Sequence, residues 1–409
     1  MTVTDFIPEG ILDNMSNIKI IGVGGCGCNA VTRLYNEGIK DVEYLICNTD
    51  RKNLMASPVP DKIQLGSALT SGLGTGMDPE KGRNAALESL EEIKKYIGDN
   101  IKVVFITAGM GGGTGTGAAP VIAKAAKEAG LLTLGIVTYP TNNEGLEFLQ
   151  KAYEGIEELS RYTDSITIVD NQKMYDYYGD LTIQEAYKKA DDILSTAVKG
   201  ISEIITSTGF IGVDLNDVKV VMRDSGMALV GTGRASGENR AREAVEKALT
   251  SPLLKDFDLN TAKNLLINIV YNNNSSLLAA EDTLILDLIR ESTGGGVIKQ
   301  KRGLTVDNSL EEGEISVTIL ATGFKVNNTP PARTRSYSNA DTVELIDSTA
   351  DGSGTITLST GITGDFQEGS IRELDTRNIF SYGPDCNISD MENETALARR
   401  ERLRKEGKI

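Results

Sequence analysis

A glycine-rich loop set between a strand pattern and a helix pattern constrains this chain more than any other feature. Residues 109–120 read GMGGGTGTGAAP. Before them, Val103, Val104, Phe105, Ile106 and Thr107 form a short branched and aromatic run that predicts a buried strand. After them, the segment from Pro120 to Ala129 begins with a proline suited to a first helical turn and continues with good helix formers. Residues without a Cβ let backbone N–H groups approach an anion closely, and a helix N-terminus adds partial positive charge at the same place. The spacing therefore predicts a phosphate-binding loop.

The same arrangement recurs along the first half of the chain. IKIIGV (18–23) leads into GGCGCNAV (24–31), VEYLICNTD (42–50) ends in Asn48, Thr49 and Asp50, and LTLGIVTYP (132–140) follows the helix after the quoted loop. Strands alternating with helices predict an α/β fold with a parallel, Rossmann-like sheet and a ligand outside the carboxyl ends of its strands. A further glycine run, Gly72-Leu73-Gly74-Thr75-Gly76, falls between the two main loops and is expected on the same edge.

From Ile183 a long helical pattern places Ile193, Leu194, Ala197, Val198, Ile201, Ile204 and Ile205 on one stripe, as a core helix between two domains would. Beyond Gly209, a helix near Asn239–Leu249, the strand-like NLLINIVYN (264–272), a helix near Glu281–Glu291, and the segments 297–308 and 314–324 predict a smaller α+β domain. After Lys325 the composition turns to Ser, Thr, Gly and Asn, which buries too little apolar surface to offset the entropy of ordering. The expected organisation is an extension (1–16), a nucleotide-binding domain (17–182), a core helix (183–208), a C-terminal α+β domain (209–325), a flexible, disordered linker (326–385) and a tail peptide (386–409).

Composition removes several function classes. The chain has no histidine, so Ser-His-Asp and Cys-His mechanisms are impossible and acid–base work falls to carboxylates, Lys, Tyr, Cys or positioned water. A net charge of −16 argues against a general nucleic-acid binder. No apolar run is long enough to span a bilayer and the first residues lack a secretory pattern, so a cytoplasmic address without membrane insertion is expected. Cys26, Cys28, Cys47 and Cys386 fall short of a metal-ligand set, and no residue is assigned to a metal.

Two readings of the first loop compete. Gly22, Gly24 and Gly27 fit G-x-G-x-x-G after a strand, and Asp50 lies where a dinucleotide fold places its ribose-binding acid, as in a nicotinamide- or flavin-dependent oxidoreductase. Against it stands the second loop, which such an enzyme does not need; two glycine loops on one edge suit a single triphosphate. The sequence GGGTGTG (111–117) resembles the signature loop of the tubulin/FtsZ family. The ordered matches IGVGGCGCNAV, NTD at 48–50, GLGTGMDPEKGRNAA, GIVTYPTNNEG, AYKKADDIL, VDLNDVKVVM and GENRAREAVEKALTSPLL extend the resemblance over roughly residues 17–324.

That resemblance implies a GTPase that polymerises head to tail, scaffolds the division ring and hydrolyses GTP to GDP at subunit interfaces with Mg²⁺ on the phosphates. It implies phosphate contacts from Gly25, Cys26, Gly27, Cys28 and Asn29 and from Gly111, Gly112, Gly113, Thr114, Gly115, Thr116 and Gly117. It assigns the ribose to Glu144 and guanine to Asn171, Tyr187 and Asp192, whose carboxylate can accept from the N1–H and amino group that adenine lacks. Asp214 and Asp217 read from spacing as an N-cap and a first-turn acid; the resemblance makes them the catalytic pair, inserted toward the next subunit's nucleotide. Four positions depart from the family: Phe148 stands where an arginine is usual, Gly212 replaces an asparagine, and Cys26 and Cys28 replace glycines. A filament-forming paralogue with slow or no hydrolysis is the alternative at this point. The basic tail segment, with ALARR at 396–400, is the candidate site for division adaptor proteins at the division site.

Overall fold

The computed structural model describes residues 16–324 apart from 40, 99, 178–180, 207–208, 252 and 255–257. The expected linker and tail, Cys386, the extension up to residue 15 and the side chain of Tyr187 lie outside the described residues. Among the described residues, eleven strands form one sheet: β1 (Ile18–Val23), β2 (Val42–Asn48), β3 (Lys62–Gln64), β4 (Val103–Gly109), β5 (Leu132–Tyr139), β6 (Ser165–Asp170), β7 (Gly209–Ile211), β8 (Gly226–Ser236), β9 (Asn264–Tyr271), β10 (Lys299–Val306) and β11 (Glu314–Thr322). Their order is β3-β2-β1-β4-β5-β6-β8-β11-β9-β10-β7.

The first six strands are parallel, as the alternating pattern predicted. Because side chains alternate across a strand, their unbroken apolar runs supply two cores at once. Ile18 and Ile20 of β1 and Val103 and Phe105 of β4 enter one cluster, while Ile21, Val23, Val104 and Ile106 enter the other. Each such fully buried side chain contributes roughly 1.5–3 kcal/mol. The first cluster also takes Leu194, Ala197, Val198, Ile201 and Ile204 from the helix Ile183–Thr206, together with Val218, Leu266 and Leu320. The expected spine helix thus joins strands of the parallel sheet to the elements that follow it.

The second half forms where expected, with helices Arg240–Leu249 and Ala279–Ser292 over β8, β9 and β11 in a third cluster. β8 joins the halves: it runs parallel to β6 at Ser165↔Gly226 and antiparallel to β11 from Ala228 to Ser236.

One boundary differs from expectation. The helix after β4 begins at Thr114 rather than at Pro120, and runs to Glu128 with Pro120 inside it. Thr114, Gly115, Thr116 and Gly117 of the loop are therefore its first turn. Packing explains why they are small: a Cβ on Gly117 would lie 1.9 Å from the Pro79 carbonyl oxygen and 2.7 Å from the Arg83 nitrogen of helix Pro79–Glu88. Backbone atoms cannot step aside as a side-chain tip can, so Gly117→Ala is expected to destabilise the fold by about 1–3 kcal/mol. An unchanged urea midpoint would contradict this packing.

Candidate functional site

Strand register decides where the site lies. Val23 pairs with Ala108, and Gly109 pairs with Thr138, so β1, β4 and β5 end at one level. The sheet order reverses between β1 and β4, the switch point at which open α/β sheets bind ligands. There a cavity of about 490 Å³ opens.

Two helix N-termini face this cavity. The helix Gly24–Glu37 starts directly after β1 and the helix Thr114–Glu128 after the β4 loop, and neither has a side-chain cap. Their leading N–H groups are left for a ligand, and both dipoles favour an anion. Gly24, Gly25, Cys26 and Asn29 line the cavity from the first helix, and Gly112, Gly113, Thr114 and Gly115 from the second. Gly111 holds φ +103°, and a Cβ there would meet the Phe148 ring at 2.4 Å. Its N–H donates to Thr116 Oγ1 at 2.9 Å, which closes the loop from below. Thr114 Oγ1 lies 2.6 Å from Thr49 Oγ1 and ties the loop to the end of β2.

Several residues assigned to phosphate contact lie under the cavity instead of on its wall. Gly27, Cys28, Thr116 and Gly117 are buried and do not line it, nor does Gly111. Cys28 donates to the carbonyls of Gly22 (3.8 Å) and Cys47 (3.7 Å), and burial pushes its thiol pKa up to about 12. It stays protonated at neutral pH and packs as a small apolar residue. Cys26 sits on the wall, with its sulfur 3.6 Å from Thr138 Oγ1.

The remaining wall comes from loops after β5 and β6 and from the 72–77 run. Glu144 lines the cavity; its Oε1 accepts from the Thr141 N–H at 3.0 Å in a capping box. Asn171, at the end of β6, lines it too, and its Oδ1 is buried with no hydrogen-bond partner. A buried amide oxygen left unpaired costs about 1–3 kcal/mol, which a ligand's N–H would recover. Thr75, Met77, Thr138, Pro140 and Phe148 also line it, as do Val23, Gly109 and Met110. Of these, Met77, Thr138 and Pro140 carried no chemical signal in the sequence; only their place at strand or loop ends could have marked them.

Four acids stand apart from the cavity wall. Asp50 caps the helix Arg51–Ala56, accepting from the Lys52 and Asn53 N–H groups at 2.8 and 3.1 Å, which is not a ribose contact. Asp192 forms an ion pair with Arg33 of the helix Gly24–Glu37 and borders a second cavity of about 280 Å³ with Thr196, Val230 and Thr232. Asp214 and Asp217 form a capping box at the start of helix Leu215–Met222: the Asp217 N–H donates to Asp214 Oδ1 at 2.7 Å, and the Asp214 N–H to Asp217 Oδ2 at 3.2 Å. Lys301 on β10 reaches Asp217 Oδ2 at 2.7 Å, and this hydrogen bond raises the lysine pKa. Both the bland reading of these acids as a helix start and their presentation together at one tip are thus in place.

Comparison with known proteins agrees with this geometry. Residues 17–179 match the GTPase domain of the tubulin/FtsZ family, and residues 226–325 match the FtsZ family C-terminal domain. The cell division protein FtsZ of Pseudomonas aeruginosa is 41% identical over 355 residues, 84% of each chain. That of Porphyromonas gingivalis is 42% identical over 314 residues, 76% of this chain and 68% of the other. Among solved structures, an empty FtsZ dimer from M. jannaschii superposes with a TM-score of 0.69 at 40% identity, over 75% of this chain and 88% of that one. A GTPγS-bound protofilament of CetZ2 from Haloferax volcanii shares the fold at a TM-score of 0.65 and 21% identity, over 76% and 93%.

Proposed function

Because the chain belongs to the FtsZ family, and so is a guanine-nucleotide-binding GTPase of the division cytoskeleton that self-associates into filaments, we propose how its own residues share that work. The floor of the 490 Å³ cavity holds the phosphates on two uncapped helix N-termini, with Gly25, Cys26, Asn29 and Gly112–Gly115 in contact. Gly27, Cys28, Gly111, Thr116 and Gly117 shape that floor from beneath. Glu144 takes the ribose. Asn171 reads the base with its unpaired amide oxygen, and Asp192 joins it by exchanging its Arg33 partner. Tyr187 is retained in the base-contacting group.

The observation that carries this division of labour is the separation of the site's halves: Asp214 and Asp217 do not line the cavity that would hold the nucleotide. In a head-to-tail filament the helix tip that bears them completes the neighbour's site, where the carboxylates orient the attacking water. Mg²⁺ would come with the nucleotide, neutralising phosphate charge, and the oxygen donors Thr75, Asn29 and Thr114 on the wall suit a hydrated ion of that kind. We further propose the organisation 17–182, 183–208 and 209–325, which the two matched domains support, and action at the division site in the cytoplasm, with adaptor proteins binding the tail.

Equilibrium titration with GTP, GDP, ATP and NADH tests the base and phosphate assignments. GTP and GDP are expected to bind at least about 100-fold more tightly than ATP, since adenine leaves buried acceptors unpaired. Equal affinity for ATP would refute the base-reading roles, and tight NADH binding would restore the dinucleotide reading.

A further inference from the structure

We propose that Lys151 supplies the positive charge that meets the nucleotide's terminal phosphates in this chain. The inference rests on the guanine-nucleotide reading of the 490 Å³ cavity. Among the described residues lining that cavity, Glu144 carries the only formal charge, and it is negative. Helix N-termini offset part of a triphosphate's charge but not all of it. Phe148 lies on the wall with its ring against Gly111, so an apolar face, not a cation, occupies that side of the loop.

Lys151 lies one turn further along the same helix, Leu146–Ser160, on the same face as Phe148. Its ammonium donates to the carbonyl of Met77 at 3.2 Å, and Met77 is itself a wall residue. The charge therefore stands at the cavity rim, next to the loop of residues 71–77, in which Ser71, Gly72, Gly74, Gly76 and Met77 all hold positive φ. Its other partner is Glu147, at 2.6 Å, whose side chain is 84% exposed. An exposed i,i+4 pair of this kind competes weakly with a phosphate, so the flexible lysine stem can hand its ammonium over when nucleotide binds.

The test is calorimetric titration of the full chain with GTP, GDP and guanosine, comparing wild type with Lys151→Met and Lys151→Arg. Lys151→Met is expected to weaken GTP about tenfold and GDP by less, as loss of one charge-assisted contact would. Guanosine affinity stays unchanged, and Lys151→Arg keeps GTP affinity near wild type. GTP affinity within about twofold of wild type in Lys151→Met would overturn the assignment while the nucleotide reading stands. A parallel loss of guanosine binding would also overturn it, by showing that Lys151 only props the 71–77 loop. Absence of GTP binding by the wild type would overturn the nucleotide reading, and this assignment with it.

Discussion

Asp217→Asn is expected to lower GTP turnover by about 10²–10³-fold while leaving GTP affinity within about twofold of wild type, because it removes charge only where the transition state needs it. Asparagine is the informative replacement. Its amide oxygen can still accept from the Asp214 N–H, so the capping box that starts helix Leu215–Met222 keeps its shape. Alanine would remove the cap and the carboxylate together, and a fall in rate would then have two explanations. Removing the ion pair to Lys301 has little structural consequence, since the two side chains are 40% and 28% exposed and water screens the pair. Steady-state hydrolysis at saturating GTP, with affinity measured separately, distinguishes the outcomes. A rate close to wild type would refute the catalytic role of Asp217, and a large loss of affinity would place it in nucleotide binding instead.

Arg240→Ala is expected to cost about 3–5 kcal/mol of stability, the largest structural effect foreseen for a single side chain, because it leaves a partner charge buried and unpaired. The Arg240 side chain is only 9% exposed, and its partner Glu281 15%. Its guanidinium binds both Glu281 oxygens, at 2.7 and 2.8 Å, and donates to the carbonyls of Ser275, Ser276 and Gly313. Glu281 also accepts the Leu278 N–H at 2.8 Å, so one pair ties helix Arg240–Leu249 to the start of helix Ala279–Ser292. The hydrogen bond from Arg240 holds Glu281 below the ordinary 4.5. The native state therefore binds this proton less readily than the unfolded chain. The stabilisation is complete above the ordinary value and is lost as pH falls from 4.5 through the lowered one. Urea unfolding at neutral pH and near pH 3 checks both points: the gap between wild type and Glu281→Gln should narrow in acid. A change under about 1 kcal/mol for Arg240→Ala at neutral pH would contradict the account.

How much of this was legible in the sequence varies by element. Strands β1, β2, β4 and β5 were readable because sheets buried on both faces need unbroken apolar runs, and the glycine breaks that end β1 and β4 lie on the edge where the cavity opens. The spine helix was readable from its stripe. By contrast β8 was missed, because Gly231 and Gly233 interrupt its pattern. The structure explains them: a Cβ at either would strike a carbonyl of helix Arg240–Leu249, at 2.2 and 2.0 Å. The start at Thr114 was missed because glycine and threonine are poor helix formers, and their place in the first turns is set by the cavity and by helix Pro79–Glu88 rather than by propensity.

Within the candidate site, the two loops, Glu144 and Asn171 came together as the pattern and the resemblance implied. The pairing of Asp192 with Arg33 and the reach of Lys151 to Met77 were not legible, because each depends on the packing of elements far apart in the chain. Family membership says that GTP is bound and hydrolysed; the arrangement of side chains adds that Glu144 and Asn171 line the cavity while Asp214 and Asp217 stand off its wall.

The most direct test of the central claim is GTP hydrolysis per subunit against protein concentration, with Mg²⁺ present and light scattering recorded in parallel. A site completed by the next subunit predicts negligible turnover below a critical concentration and a rate per subunit that rises together with scattering above it. A rate per subunit independent of concentration, already full where scattering is absent, would show that one chain holds the whole catalytic site and would contradict the assignment of Asp214 and Asp217 across the interface.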